Sequence, residues 1–163
     1  MLLQSLFSTR FVAATNFRRM STLFANIPLK RKGGQVVNAD ALQGKTVALY
    51  FSAHWCPPCR NFTPVLKEFY EEGVNGGLEI VFISFDRSAS DQEAYLNESH
   101  GNWLYIPHGD SNIEKLADKY GVSGIPALIL IKADGSIANK DARTDVQSLP
   151  AKAAVSKWAS QVA

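Results

Sequence analysis

Cysteine is scarce. There are two among 163 residues, and they stand three positions apart, at Cys56 and Cys59. A structural disulfide stabilises chiefly by closing a long loop, so a bridge across two residues adds little. A chain of this length buries a core without staples, and the pair is better explained by chemistry than by bracing. Long hydrophobic runs are lacking as well. No stretch approaches the ~20 apolar residues of a membrane-spanning helix, so no membrane partner is expected. Acidic residues are absent from the first 39 positions, which hold six bases: Arg10, Arg18, Arg19, Lys30, Arg31 and Lys32. The other 124 residues carry the remaining 11 of 17 Lys and Arg and all 15 acids, a net of −4. The positive balance of the chain belongs to its N-terminal part and gives no argument for a nucleic-acid partner.

What is present is ordinary for a globular chain: 46% hydrophobic and 20% charged residues, in a length that suits one domain. Neither an internal repeat nor a linker marks a second one. Residues 1–33 are read as an extension and 34–163 as the domain. The segment Met1–Thr22, rich in Leu, Phe, Ser, Thr and Arg, has the composition of a mitochondrial transit peptide. The alternatives are a disordered leader, or a start at Met20 with a cytoplasmic or nuclear product. Lys30-Arg31-Lys32 is a weak nuclear signal.

Beyond Gly33-Gly34 the pattern alternates. Gln35–Asn38 reads as a short strand, Ala41–Lys45 as a turn, and Thr46–Ser52 as a buried strand. Phe62, Val65, Leu66, Phe69 and Tyr70 follow at helical spacing, with Pro64 expected to kink the helix. Leu78–Phe85 reads as a strand ending at Asp86. Ser88–Ser99 reads as a helix with a serine cap, Trp103–Ile106 as an extended piece, and Ile113–Tyr120 as a helix stopped by Gly121. Pro126 leads into a strand over Ala127–Ile131. Asp134-Gly135 signals a hairpin returning through Ser136–Asn139, and Pro150–Val162 closes the chain as a helix with Val155, Trp158 and Val162 inward. The class this implies is α/β, a three-layer α/β/α sandwich on a mixed sheet.

The chemistry concentrates in Cys56-Pro57-Pro58-Cys59. Thiol–disulfide exchange needs a thiolate and a second thiol within reach. Cys56 lies between a strand and a helix, where free N–H groups and the helix dipole favour a thiolate over the ordinary thiol of pKa about 8.5. Pro57 suits a first helical position, since its missing N–H has no intrahelical partner there, and Pro58 stiffens the turn. Cys56 is accordingly read as nucleophile and Cys59, one turn on, as resolving thiol. A zinc site needs four ligands, and only His54, His100 and His108 could complete one, so no metal or other cofactor is expected. Two inert buried thiols are the remaining bland reading.

Trp55-Cys56-Pro57-Pro58-Cys59-Arg60 with Phe62-Thr63-Pro64 resembles the tryparedoxin and nucleoredoxin branch of the thioredoxin superfamily. Phe82–Asp86 and Tyr120–Pro126 extend the resemblance over about residues 35–160. It implies the thioredoxin fold and dithiol reduction of disulfide-containing protein substrates, with an upstream thiol reductant or reductase of unassigned identity and a monomeric chain. It implies that Trp55, Pro57, Pro58, Ile125 and Pro126 face the substrate, and that Pro126, by local rules an ordinary trans loop proline, is cis. Typical thioredoxins carry a buried acid six residues before the nucleophile. Here that position is Tyr50, as in the nucleoredoxin-like branch, which leaves the general base unassigned. Asp86 is one candidate, although an exposed strand-end carboxylate is its simpler reading. His54 is read as a thiolate stabiliser or an ordinary loop histidine, and Arg60 as a charge near the site or a solvated helix residue. A redox-gated interaction module with low turnover is the alternative function. A peroxidase is disfavoured, because a resolving thiol three residues away suits disulfide exchange.

Overall fold

Side chains alternate across a sheet, so a strand buried on both faces reads as a nearly continuous apolar run, and two central runs of the chain are built this way. The computed structural model describes Met20 and residues 22–163; the transit-peptide reading lies almost wholly outside them. The described residues form seven strands and five α-helices. In chain order these are β1 (Leu29–Arg31), β2 (Gln35–Val37), β3 (Thr46–Ser52), α1 (Pro57–Gly73), β4 (Leu78–Ser84), α2 (Ala89–Ser99) and β5 (Leu104–Tyr105). They continue with α3 (Asn112–Lys119), β6 (Ala127–Ile131), β7 (Ile137–Asn139), α4 (Ala142–Ser148) and α5 (Ala151–Val162).

The strands join one mixed sheet in the order β2-β1-β5-β4-β3-β6-β7. β3 runs parallel to β4, with Tyr50 opposite Phe82 and Ser52 opposite Ser84, and antiparallel to β6. Every residue of β3 and β4 is buried. Their side chains divide by the two-residue period. Ala48, Tyr50, Leu78, Ile80 and Phe82 enter the core beneath α1, α2, α4 and α5. Val47, Leu49, Phe51, Val81 and Ile83 enter a second core with Met20, Phe24, Leu42, Leu116 and Tyr120. The expected helical layers are therefore present on both faces.

Two elements were not anticipated. β1 pairs antiparallel with both β2 and β5, so the folded unit takes in residues upstream of the Gly33-Gly34 boundary. Its charges hold it in place: Arg31 donates to Glu79 at 3.0 Å and to the Asn102 carbonyl at 2.8 Å, and Lys32 donates to the His100 carbonyl at 2.8 Å. These basic residues brace the sheet. α4 is short and mostly polar. It is pinned by Asp145, a buried carboxylate that accepts from Lys157 at 2.9 Å and from the Trp158 indole at 2.8 Å. Burial works to raise that carboxyl, but the hydrogen bonds from Lys157 and Trp158 prevail and hold it below its ordinary value. The Ala41–Lys45 turn takes the form of a 3-10 turn over Ala39–Leu42.

His100 sits in the first core with no exposure. The rings of Tyr95 and Phe82 stand 4.3 and 4.4 Å away, and its Nδ1 accepts from the Trp103 indole at 3.1 Å. Burial, reinforced by the nearby Lys32 and His54 charges, drives its pKa well down, so the folded state holds it neutral. An unfolded histidine takes up a proton near pH 6.5. Stability is thus fully present above about pH 6.5 and falls with pH below it, because only the unfolded state binds the proton. Urea titrations between pH 7 and 5 are expected to show this loss in the parent chain and a flatter slope in His100→Phe; equal slopes would assign the acid sensitivity elsewhere.

Candidate active site

β3 delivers the chain to a turn at Ala53–Trp55, and Cys56 then caps α1. Cys56 has extended backbone angles (φ −96°, ψ 110°), and its Sγ accepts from the Cys59 N–H at 3.3 Å. Pro57 and Pro58 take the first helical positions, where an absent N–H goes unmissed. The helix continues through Pro64 to Gly73. Cys56 and Cys59 form a disulfide with their Cα atoms 5.2 Å apart. Cys56 retains 5% exposure and Cys59 none, so one sulfur is reachable and the other is shielded by its own helix.

The loop before β6 faces this pair. The Ile125-Pro126 bond is cis, and the Ile125 carbonyl oxygen lies 3.8 Å from Cys56 Sγ. Pro126 itself is buried and Ile125 half-buried. Pro57 and Pro58 are exposed, and Trp55 is the large exposed side chain beside them at 47%. Its indole donates to the Phe85 carbonyl at 2.9 Å, which ties the ring to the end of β4.

Behind Cys59 lies a chain of hydroxyl groups. Thr63 Oγ1 donates to the Cys59 carbonyl at 2.9 Å. Tyr50 OH meets Thr63 Oγ1 at 2.6 Å, Tyr95 OH also bonds Thr63 Oγ1, and Ser52 Oγ lies 2.8 Å from Tyr95 OH. Thr63 has one proton, already given to Cys59, so both phenols donate to it and Tyr95 accepts from Ser52. Burial first, and the adjacent Tyr95 second, push the Tyr50 phenol far above its ordinary range. Tyr50 is therefore a fixed donor at neutral pH. Thr63→Val keeps the shape but strands two buried phenol donors, with an expected cost of about 2 kcal/mol or more. Urea denaturation measures it, and a loss under about 0.5 kcal/mol would contradict this account of the network.

Asp86 departs from its expected exposure. It is buried, accepts from the His54 backbone N–H at 2.7 Å and from Ser84 Oγ at 2.6 Å, and so ties the turn before Cys56 to the end of β4. The His54 ring points elsewhere: it stacks on Tyr95 and hydrogen-bonds Glu98 at 2.7 Å. Arg60 is exposed and donates to the His54 carbonyl at 2.7 Å. Sequence reasoning missed Thr63, Tyr95, Ser52 and Arg143. Only Thr63 carried a signal, standing four residues after Cys59 on the same helical face. Arg143 on α4 donates to the Pro126 carbonyl at 3.0 Å and lies 5.1 Å over the Phe62 ring, linking the proline loop to α1.

The sequence model of a family described as thioredoxin-like matches residues 44–137. Tryparedoxin of Trypanosoma brucei brucei is 48% identical over 121 residues, covering 72% of this chain and 82% of that protein. Human nucleoredoxin is 40% identical over 122 residues, covering 73% of this chain and 28% of that protein, so the chain spans under a third of its length. Among solved structures, thioredoxin from Wuchereria bancrofti superposes with a TM-score of 0.73 at 53% identity, over 84% of this chain and 96% of that one.

Proposed function

The chain belongs to the thioredoxin-like family and has its fold, and from that premise we propose that it reduces protein disulfides by dithiol exchange. The observation that carries the proposal is the asymmetry of the pair: a reachable Cys56 capping a helix, and a buried Cys59 one turn behind it. In the reduced protein, the Cys56 thiolate attacks one sulfur of a substrate disulfide and displaces the other as a thiolate. Cys59, giving up its proton, then attacks Cys56 Sγ, releases the second substrate thiol and closes the Cys56–Cys59 bond. Two electrons pass to the substrate. An upstream thiol reductant or reductase returns them before the next turnover.

The helix N-terminus favours the Cys56 thiolate as attacker and as leaving group. Trp55 and the Ile125 backbone offer an apolar wall and a free edge to an extended substrate segment. Tyr50 and Thr63 hold the Cys59 turn in place without supplying a base. Reduced protein mixed with insulin is expected to cleave its disulfides while the count of alkylatable thiols in the protein falls from two to zero. Insulin that stays intact, with both thiols still free, would overturn the proposal.

A further inference from the structure

Residues 40–163 contain three arginines, Arg60, Arg87 and Arg143, against eight lysines. All three arginines stand around the cysteine pair. Arg60 follows Cys59 on the first turn of α1 and reaches back to the His54 carbonyl. Arg87, in the loop after β4, lies 5.4 Å over the Trp55 ring. Arg143 holds the Pro126 carbonyl from the other side. Among the described residues no lysine makes a hydrogen bond, ion pair or ring contact with residues 54–59 or 125–126.

None of these guanidinium groups has a carboxylate partner among the described residues, in contrast to Arg31, which pairs with Glu79. The acids nearby are already engaged. Asp86 is spent on Ser84 and the His54 N–H, and Glu98 on the His54 ring. Arg87 makes no hydrogen bond to any described residue, and Arg60 uses one of its five N–H donors. A region of net charge −4 thus places two exposed, fork-shaped cations that lack a carboxylate, Arg60 and Arg87, beside the cysteine pair and Trp55. Arg143 is half-buried with its Nε enclosed and serves the proline loop. Arginine in place of lysine matters here. Its planar fork matches a carboxylate bidentately, and it surrenders water more readily than an ammonium.

Building on the disulfide-reductase reading, we propose that Arg60 and Arg87 select substrates whose disulfide is flanked by acidic residues. The two cations come from separate elements, Arg60 from the first turn of α1 and Arg87 from the loop after β4. An extended acidic polypeptide running over Trp55 and along Ile125 meets them in turn. The exchange itself is unchanged: the substrate gains two electrons and the protein ends as the Cys56–Cys59 disulfide. Recognition acts on encounter, so it should depend on ionic strength.

The test uses three synthetic peptides of equal length, each with one internal disulfide flanked by Glu, Gln or Lys. The full chain, reduced with a dithiol and desalted, is mixed with each in a single turnover. At ~10 mM salt, where the Debye length is ~30 Å, the Glu peptide is expected to react about tenfold faster than the Lys peptide; at ~1 M, where it is ~3 Å, the ratio should approach one. Arg60→Gln and Arg87→Gln should each shrink the low-salt Glu/Lys ratio, and Arg87→Glu should shrink it further or invert it. Because the ratio is taken within each variant, a general loss of activity cancels. Equal wild-type rates at low salt, or a ratio the variants leave intact, overturn the inference while leaving the reductase reading standing. A preference seen with oxidised glutathione but not with the peptides overturns the polypeptide assignment. Failure to reduce any of the peptides, all of which dithiothreitol opens, sinks the reductase reading itself.

Discussion

Cys56→Ser is expected to lower disulfide reduction on the order of 10³-fold or more, the scale on which removing a nucleophile acts. A serine hydroxyl cannot exchange with a disulfide sulfur, and no cysteine other than Cys59 is present to replace it. The substitution is informative because it spares the fold. Cys56 caps α1 through its side chain, and serine is among the preferred capping residues. The bridge it removes spans two intervening residues and adds little stability. The melting temperature of the variant is therefore expected to stay within a few degrees of that of the reduced parent chain. Activity above about a tenth of wild type would show that another group performs the chemistry.

Asp86→Ala carries the second large effect, and it falls first on stability. The carboxylate is buried and accepts one backbone and one side-chain hydrogen bond, at 2.7 and 2.6 Å. Hydrogen bonds to a charged acceptor contribute about 1.5–3 kcal/mol each, and removing the acceptor also leaves the half-buried His54 N–H without its partner. A loss of about 2–4 kcal/mol is expected in urea titration. Because that N–H belongs to the turn carrying Trp55 and Cys56, the exchange rate should fall with it. Asp86→Asn separates the roles, since its amide oxygen can still accept from His54. If Asp86 organises the turn, Asn restores most of the stability and the pH profile of exchange keeps its shape. If Asp86 moves the Cys59 proton, Asn stays impaired and the alkaline limb of the profile shifts.

Elements with a strong periodic signal were legible in the sequence. Thr46–Ser52 and Ala127–Ile131 were read with the bounds they have in the structure, because a continuous apolar run bounded by turn residues has few other uses. The Cys56 cap was legible too, since a strand, a cysteine and two prolines leave little choice of geometry. β1 was hidden because three residues, two of them basic, carry no hydrophobic pattern. Its reason for pairing lies 48 residues away at Glu79. α4 was hidden likewise: its anchor is one aspartate whose partners sit on α5. Asp86 looked like a solvated strand end because nothing local shows that the backbone of His54, 32 residues earlier, needs an acceptor. The hydroxyl chain joining Tyr50, Thr63, Tyr95 and Ser52 spans β3, α1 and α2, and only the packing of these three elements brings it together.

The assignment of Cys56 as attacker and Cys59 as resolver is tested most directly by trapping the intermediate. Cys59→Ser, incubated with a disulfide peptide and then mapped by mass spectrometry after acid quench, should accumulate a stable mixed disulfide on Cys56 at close to the rate of the parent chain's first step. Cys56→Ser treated in the same way should stay unmodified over that time. Equal adduct formation on Cys59 in the Cys56→Ser protein, or no adduct in Cys59→Ser, would contradict the account.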